Sequence, residues 1–297
     1  MSYDLETIEN NVFNTVNNTL LGDTAQSMAF YDDLLYIILN VSNKVEVVDR
    51  YTFESVATID TGLNNPRYID FSNGKGYITN WGDGSIATDD YVAIIDLSTN
   101  AIEATTIPVV EGPEEIKAYG DKVYVAHQGG FSQNNKVTVI DAGSDVVASI
   151  ITVGDVPNSL QLDNAGNLWV LCGGKPSWTG SETGGQLFKV NTSDDTATSI
   201  DFDTEEHPNF LSIDNGYVYY YLGGEVYKMT DASATLPTAS EISGLSFYDM
   251  TVNDGVLYGV DAKDFASEGD FYAYDLSTNT LINTAVVNII PGGIYFN

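Results

Sequence analysis

The sequence predicts an all-β protein, a seven-bladed β-propeller forming one domain over residues 1–297. Three observations carry the prediction. The first is a recurring unit of two apolar residues, an acid or amide, and a turn: Val47-Val48-Asp49, Ile94-Ile95-Asp96, Val139-Ile140-Asp141, Lys189-Val190-Asn191 and Ala273-Tyr274-Asp275, with a further copy at Ser2-Tyr3-Asp4. Its steps are 47, 45 and 50 residues, then 84, about two periods. Short strands repeating at this spacing are the signature of propeller blades. The second observation is an independent marker with the same period. Pro66, Pro113, Pro157 and Pro208 each precede a small apolar strand, and weaker copies begin at Ala25, Ser246 and Pro291. The third is composition: 27 glycines, 19 tyrosines and many β-branched residues suit short twisted strands joined by turns. No stretch holds a helical period, so almost no helix is expected.

Within one repeat the elements follow in order. Residues 68–71 form a short inner strand, Asn73-Gly74 a hairpin turn, 76–80 the second strand and 91–96 the third, ending at the repeated Asp. Residues 104–109 form the outer strand. The Asp at the strand end is placed to accept backbone N–H bonds in the turn that follows. Each repeat has apolar faces that only its neighbours can cover. Seven strand anchors predict seven blades, the last shared between both chain ends. In that closing blade, residues 293–296 would pair with strands near 2–7 and 12–16, in a precursor carrying additional upstream sequence.

The connections between second and third strands are predicted to lie on one face. Four of them are long: residues 81–90, 128–135, 173–185 and 262–269. Long loops on a rigid scaffold are where function concentrates. They carry Trp81, Gln128, Phe131, Lys175, Trp178 and Phe265. Aromatic side chains at such a mouth suit a flat or bulky ligand, although packing on their own loops is the plainer reading. Arg67 and Lys175 are among only 11 cations and would pair with an anionic group on a ligand.

Charge excludes some functions. The chain carries 42 acidic and 11 basic residues, a net charge of −31, which repels nucleic acid and anionic lipid. The one cysteine, Cys172, follows Leu168-Trp169-Val170-Leu171 and reads as a small core residue. No apolar run is long enough to span a membrane as a helix, and the first residues do not form a signal peptide. No nucleophile elbow, zinc-protease helix or phosphate loop occurs, and no cofactor is expected. The two histidines, His127 and His207, both fall at the loop-rich face. A metal pair or an axial ligand is one reading of them; ordinary loop hydrogen bonding is the other. The acid pairs Asp89-Asp90 and Glu114-Glu115 read either as solvated or as ligands for Ca²⁺.

Tyr77-Ile78-Thr79-Asn80, followed by Ala93-Ile94-Ile95-Asp96 and Ile102-Glu103-Ala104-Thr105, resembles the bacterial "YVTN" seven-bladed propellers. Residues 21–28, Leu35-Tyr36-Ile37-Ile38, residues 43–49 and Thr52-Phe53 resemble the Bacteroidetes surface-lipoprotein branch of that family. The resemblance implies an exported monomer, lipid-anchored at the outer-membrane surface in its precursor, that works with a TonB-dependent transporter. It implies non-catalytic capture of a bulky nutrient, a corrinoid such as cobalamin first and an iron carrier next. The residues expected to make that site are Arg67, Trp81, His127, Gln128, Phe131, Asn158, Lys175, Trp178, Asn209 and Phe265. The alternatives are a protein-binding scaffold and a calcium-dependent hydrolase like the lactonase-type propellers, with Glu114, Asn158 and Asn209 as the ligand set.

Overall fold

A computed structural model describes residues 7–297 and contains six antiparallel blades among them, five of four strands and the second of five. Their inner strands are Ala25–Tyr31, Pro66–Ser72, Pro113–Tyr119, Pro157–Leu162, Asn209–Asp214 and Asp249–Asn253. The strands pair in chain order from inside outward, except that in the second blade the two outermost fragments both pair with the third strand. The all-β class and the propeller architecture hold, but seven blades do not. Six of the seven anchors open an inner strand; the seventh, at Pro291, opens none, and residues 291–297 form no strand. The Ser2-Tyr3-Asp4 copy lies outside the described residues.

The reason lies in how the two ends are used. Residues expected to be a strand form the one-turn helix Val12–Asn17, bounded by Asn11 and Asn18, both in the left-handed region. Asparagine tolerates that conformation better than most residues. The helix drops Phe13 onto Leu35, Ile37 and Leu39 of the first blade, a one-sided burial that an alternating strand would not provide. Asn17 also donates to the Phe53 carbonyl at 2.9 Å and accepts from the Ser55 N–H at 2.8 Å. The C-terminal segment is tied to both neighbours: Gly293 N–H donates to Asp249 at 2.9 Å, the Asn297 amide donates to the Arg50 carbonyl at 3.0 Å, and Arg50 Nε donates back to Asn297 Oδ1 at 2.5 Å. Phe296 meets Tyr258 with ring centroids 5.0 Å apart. These contacts, with Asn288 donating to Asn11 at 3.2 Å, bridge the sixth blade to the first.

Elsewhere sheet packs on sheet. Tyr36, Ile38 and Val47 of the first blade meet Ile69, Ile78 and Ala93 of the second, and four further apolar clusters join the succeeding blades. Cys172 is fully buried in the cluster between the third and fourth blades, where burial pushes its thiol pKa well up. The strand-end acids do what the repeat predicts. Asp49 accepts from Thr52 N–H at 2.8 Å, Asp96 from Ser98 N–H at 2.8 Å, Asp141 from Ser144 N–H at 2.8 Å and Asp275 from Ser277 N–H at 2.7 Å. Asn191 makes the same bond to Ser193 N–H at 3.0 Å. Stabilising the ionised form in this way lowers each of the four aspartate pKa values.

Asn73 and Gly74 both have positive φ, 52° and 73°, as the two-residue hairpin turn requires. The outer strand expected at 104–109 is instead two fragments, Ala101–Ile102 and Ile107–Pro108, both on Tyr91–Asp96. Pro108 lacks an N–H and is confined to such an edge.

Candidate functional site

The four long loops join second to third strands and lie on one face of the propeller. In the fifth blade the same connection is only Gly223-Gly224, because Tyr217–Leu222 runs almost directly into Glu225–Thr230. The mouth is framed by the starts of the inner strands, where five blades show a register irregularity between the first few residues. Such irregularities re-aim side chains. Here they bring residues from adjacent blades together in pairs. Arg67 and Glu114 form one pair, with Nη2 to Oε1 at 2.7 Å and Nε to Oε2 at 3.0 Å. Asn158 and Asn209 form the other: the Asn158 amide donates to Asn209 Oδ1 and to the Pro208 carbonyl, both at 2.9 Å.

Arg67 also stacks over Trp81, its guanidinium carbon 4.3 Å from the ring centroid, and Trp81 Nε1 donates to the Pro113 carbonyl at 2.9 Å. The indole is thereby fixed. Phe131, from the next long loop, meets it edge-on at 6.0 Å and is 81% exposed. Trp178 stands on the short turn Ser177–Thr179 and is 76% exposed. Phe265 is 54% exposed and packs edge-on against Tyr248 at 5.3 Å. Its φ of +61° is an uncommon conformation for an aromatic residue. Three blades therefore each present an aromatic ring to solvent from a long loop.

Lys175 pairs with Asp155 at 3.3 Å. The Gln128 carbonyl accepts from Asn134 N–H at 3.0 Å and closes its own loop. His207 contacts the Gly173 carbonyl through Nδ1 at 2.8 Å and Glu182 through Nε2 at 3.2 Å. His127 has no exposure and lies 2.8 Å from the Thr138 hydroxyl. Burial pushes its pKa down to about 4, against weaker contacts with the Val110 and Glu111 backbone, so the ring is neutral at neutral pH. Glu114 spends its carboxylate on Arg67, and among the described residues no three His, Cys, Asp or Glu side chains cluster as a metal set.

Two features of this face escape the sequence. Tyr248, the support of Phe265, sits beside a weak anchor, and only the fold brings it to the 262–267 loop. The other is a set of acids and phenols around the axis. Glu115 is pushed up to about 7 by burial, which the Leu160 N–H and Lys117 only partly oppose. Asp249 is pushed up to about 6, again by burial. Tyr68 and Tyr295 face both acids, and all four keep some solvent access while enclosed by inner strands. The signal for this set was the anchor itself, since every inner strand supplies residues to the axis.

Six radially packed antiparallel sheets with an elaborated loop face place the chain in the β-propeller class. The chain belongs to the family described as a domain of unknown function, DUF5074, whose model matches residues 1–260. No curated protein matches it. Among solved structures it is similar to the computationally designed Ika8 protein, with a TM-score of 0.61 and 11% identity over 88% of this chain and 73% of that one. It is also similar to the hydrazine synthase of Kuenenia stuttgartiensis, with a TM-score of 0.61 and 16% identity over 87% of this chain and 81% of that one. A third similar structure is the extracellular domain of a one component system, BT4673, from B. thetaiotaomicron, with a TM-score of 0.61 and 13% identity. There 87% of this chain is covered but only 37% of the other. Identities this low carry the fold alone. No described helix is long and apolar enough to cross a membrane.

Proposed function

We propose that this propeller is a non-catalytic capture protein of the cell surface. It takes a bulky nutrient at the loop-rich mouth and passes it to an outer-membrane transporter. A corrinoid is the first candidate, from the sequence resemblance, and an iron carrier the second. The carrying observation is the set of exposed rings, Phe131, Trp178 and Phe265, held on loops of three different blades. Large apolar rings left in water cost hydrophobic free energy that a ligand's apolar face would recover. Their supports favour a rigid receptor: Trp81 is pinned by two contacts and Phe265 leans on Tyr248. The extracellular neighbour from B. thetaiotaomicron is in keeping with a surface location.

The test is a thermal-shift screen against cobalamin, cobinamide, haem, ferric siderophores and Ca²⁺, followed by calorimetry on any hit. A ligand that binds only the folded state raises the melting temperature by mass action. The expected result is a shift with a corrinoid or iron carrier that Trp178→Ala and Phe131→Ala reduce at least tenfold in affinity. A shift with Ca²⁺ alone, lost in Glu114→Gln, would replace this reading with the hydrolase. Ligand binding indifferent to both aromatic variants would also overturn it.

A further inference from the structure

The loops 81–90 and 128–135 enclose a cleft whose chemistry is more specific than the face around it. Its walls are Trp81, Ile86 and Phe131; its polar groups are Asp90 and Glu111; its floor is glycine. Gly112 is required by the approach of two backbones. A Cβ on Gly112 would lie 2.2 Å from the Gly130 nitrogen, and Gly112 has a φ of +69°. This close approach is made within the third blade, between the start of its inner strand and its own long loop, and the loop of the second blade closes the cleft from the other side.

Asp90 is the unusual member. It is 4% exposed, yet its carboxylate accepts only backbone N–H groups, a long bond of 3.4 Å from Gly112 and that of Asp90 itself. A buried carboxylate normally gains a cation or several donors. Here the nearby charges are of the same sign: Asp89 on its own loop and Glu111 from the connection between the second and third blades. His127, beneath the Glu111 backbone, is neutral above pH ~4 and adds no charge. No lysine or arginine lines the cleft among the described residues, and Arg67, behind Trp81, is committed to Glu114. Burial, reinforced by Asp89 and Glu111, pushes Asp90 up to about 6. The protein therefore holds negative charge at a cost in a cleft shared with two aromatic rings, offset by backbone N–H groups but by no cation of its own.

We propose that this cleft binds an organic cation, an amine or quaternary ammonium group carried by the ligand, with Trp81 and Phe131 as walls and Asp90 and Glu111 as counter-charge. The ring faces attract a cation through their quadrupoles, more strongly once it is desolvated. The carboxylates add direct attraction and repel an anionic group. A cation also supplies the counter-charge that no side chain lining the cleft gives Asp90. The inference rests on the capture reading only in placing ligand at this face; the charge preference is a property of the cleft.

Phenyltrimethylammonium, benzyl alcohol and benzoate share a ring and differ in charge, and calorimetry against each tests the proposal directly. The expected result is cation binding at least tenfold tighter than benzyl alcohol, and no measurable benzoate binding. Asp90→Asn, nearly the same shape, removes the tenfold preference. Glu111→Gln, at a more accessible position, weakens the cation severalfold and guards against a folding defect at Asp90. In the unaltered protein the cation affinity falls about tenfold between pH 7.5 and pH 5, because a group titrating near 6 is only about one-tenth ionised at pH 5. Equal binding of the three probes, or a cation preference that both variants and the pH change leave intact, overturns the proposal. Failure of every nutrient in the thermal-shift screen, with this charge pattern present, would remove the capture reading and leave the cation site standing.

Discussion

Replacing Arg67 with methionine should destabilise the protein by about 3–4 kcal/mol at pH 7. The Arg67 and Glu114 side chains are 15% and 5% exposed and share three hydrogen bonds of 2.7 to 3.2 Å. Methionine keeps most of the apolar stem over Trp81 but strands the carboxylate. Breaking a buried pair from one side costs about 3–5 kcal/mol. Protonation caps that cost. At about 1.4 kcal/mol per pH unit, protonating the stranded carboxyl group costs less at pH 5 than at pH 7. The penalty in Arg67→Met should therefore shrink as pH falls. The double variant Arg67→Met with Glu114→Gln removes both charges and should recover about 2 kcal/mol or more of the loss. Urea unfolding followed by circular dichroism and tryptophan fluorescence, at both pH values, reads all three quantities. A single variant within about 1 kcal/mol of the parent at pH 7, or no rescue by glutamine, would show that the pair is not buried as described.

Further outcomes follow from the same structure. Phe131→Ala and Trp178→Ala, 81% and 76% exposed, should each leave stability within about 0.5 kcal/mol while weakening ligand capture at least tenfold, which separates a binding role from a packing role. Asp163 is almost fully buried and accepts from Asn167 N–H at 2.8 Å, Trp169 Nε1 at 3.1 Å and Lys189 at 3.1 Å. Burial alone would raise its pKa, but these bonds together bring it down to about 2, and Asp163→Ala should cost about 2–4 kcal/mol in urea unfolding. The pH dependence of stability has a definite sign. Glu115, Asp249 and Asp90 are raised by burial to about 7, 6 and 6, so their contribution is present below the ordinary carboxylate range and lost as pH rises through 6 to 7. Calorimetry should find a lower melting temperature at pH 8 than at pH 5, with Glu115→Gln flattening the slope; a rise toward pH 8 would contradict the placement of these acids.

The architecture was legible because it is written redundantly. The Asp turn and the strand anchor mark the same period independently, and each follows from local chemistry: an Asx-type bond at a strand end, and a strand opening where a missing N–H does no harm. The number of blades was not legible, since an anchor is only a local signal. Pro291 carries one, yet its segment finds Asp249 and Arg50 rather than a strand partner. Val12–Asn17 alternates weakly enough to read as a strand and becomes a helix because Phe13 has one surface to cover. Among the site residues, loop position was readable while partnership was not. Arg67 and Lys175 read as free cations, but acids 47 and 20 residues away in sequence hold them. His127 read as a loop histidine and is a buried one.

By itself the sequence determined the all-β class, the period, the turn chemistry and the face on which long loops gather. These depend on residues a few positions apart, whose hydrogen bonding and alternation hardly vary with context. Only the tertiary structure decided how the ends meet, which charges cancel, and which carboxylate is left buried without a counter-charge. Those outcomes depend on contacts between blades, where separations of some 45 residues become a few ångströms and where burial, not composition, sets the energy of a charge.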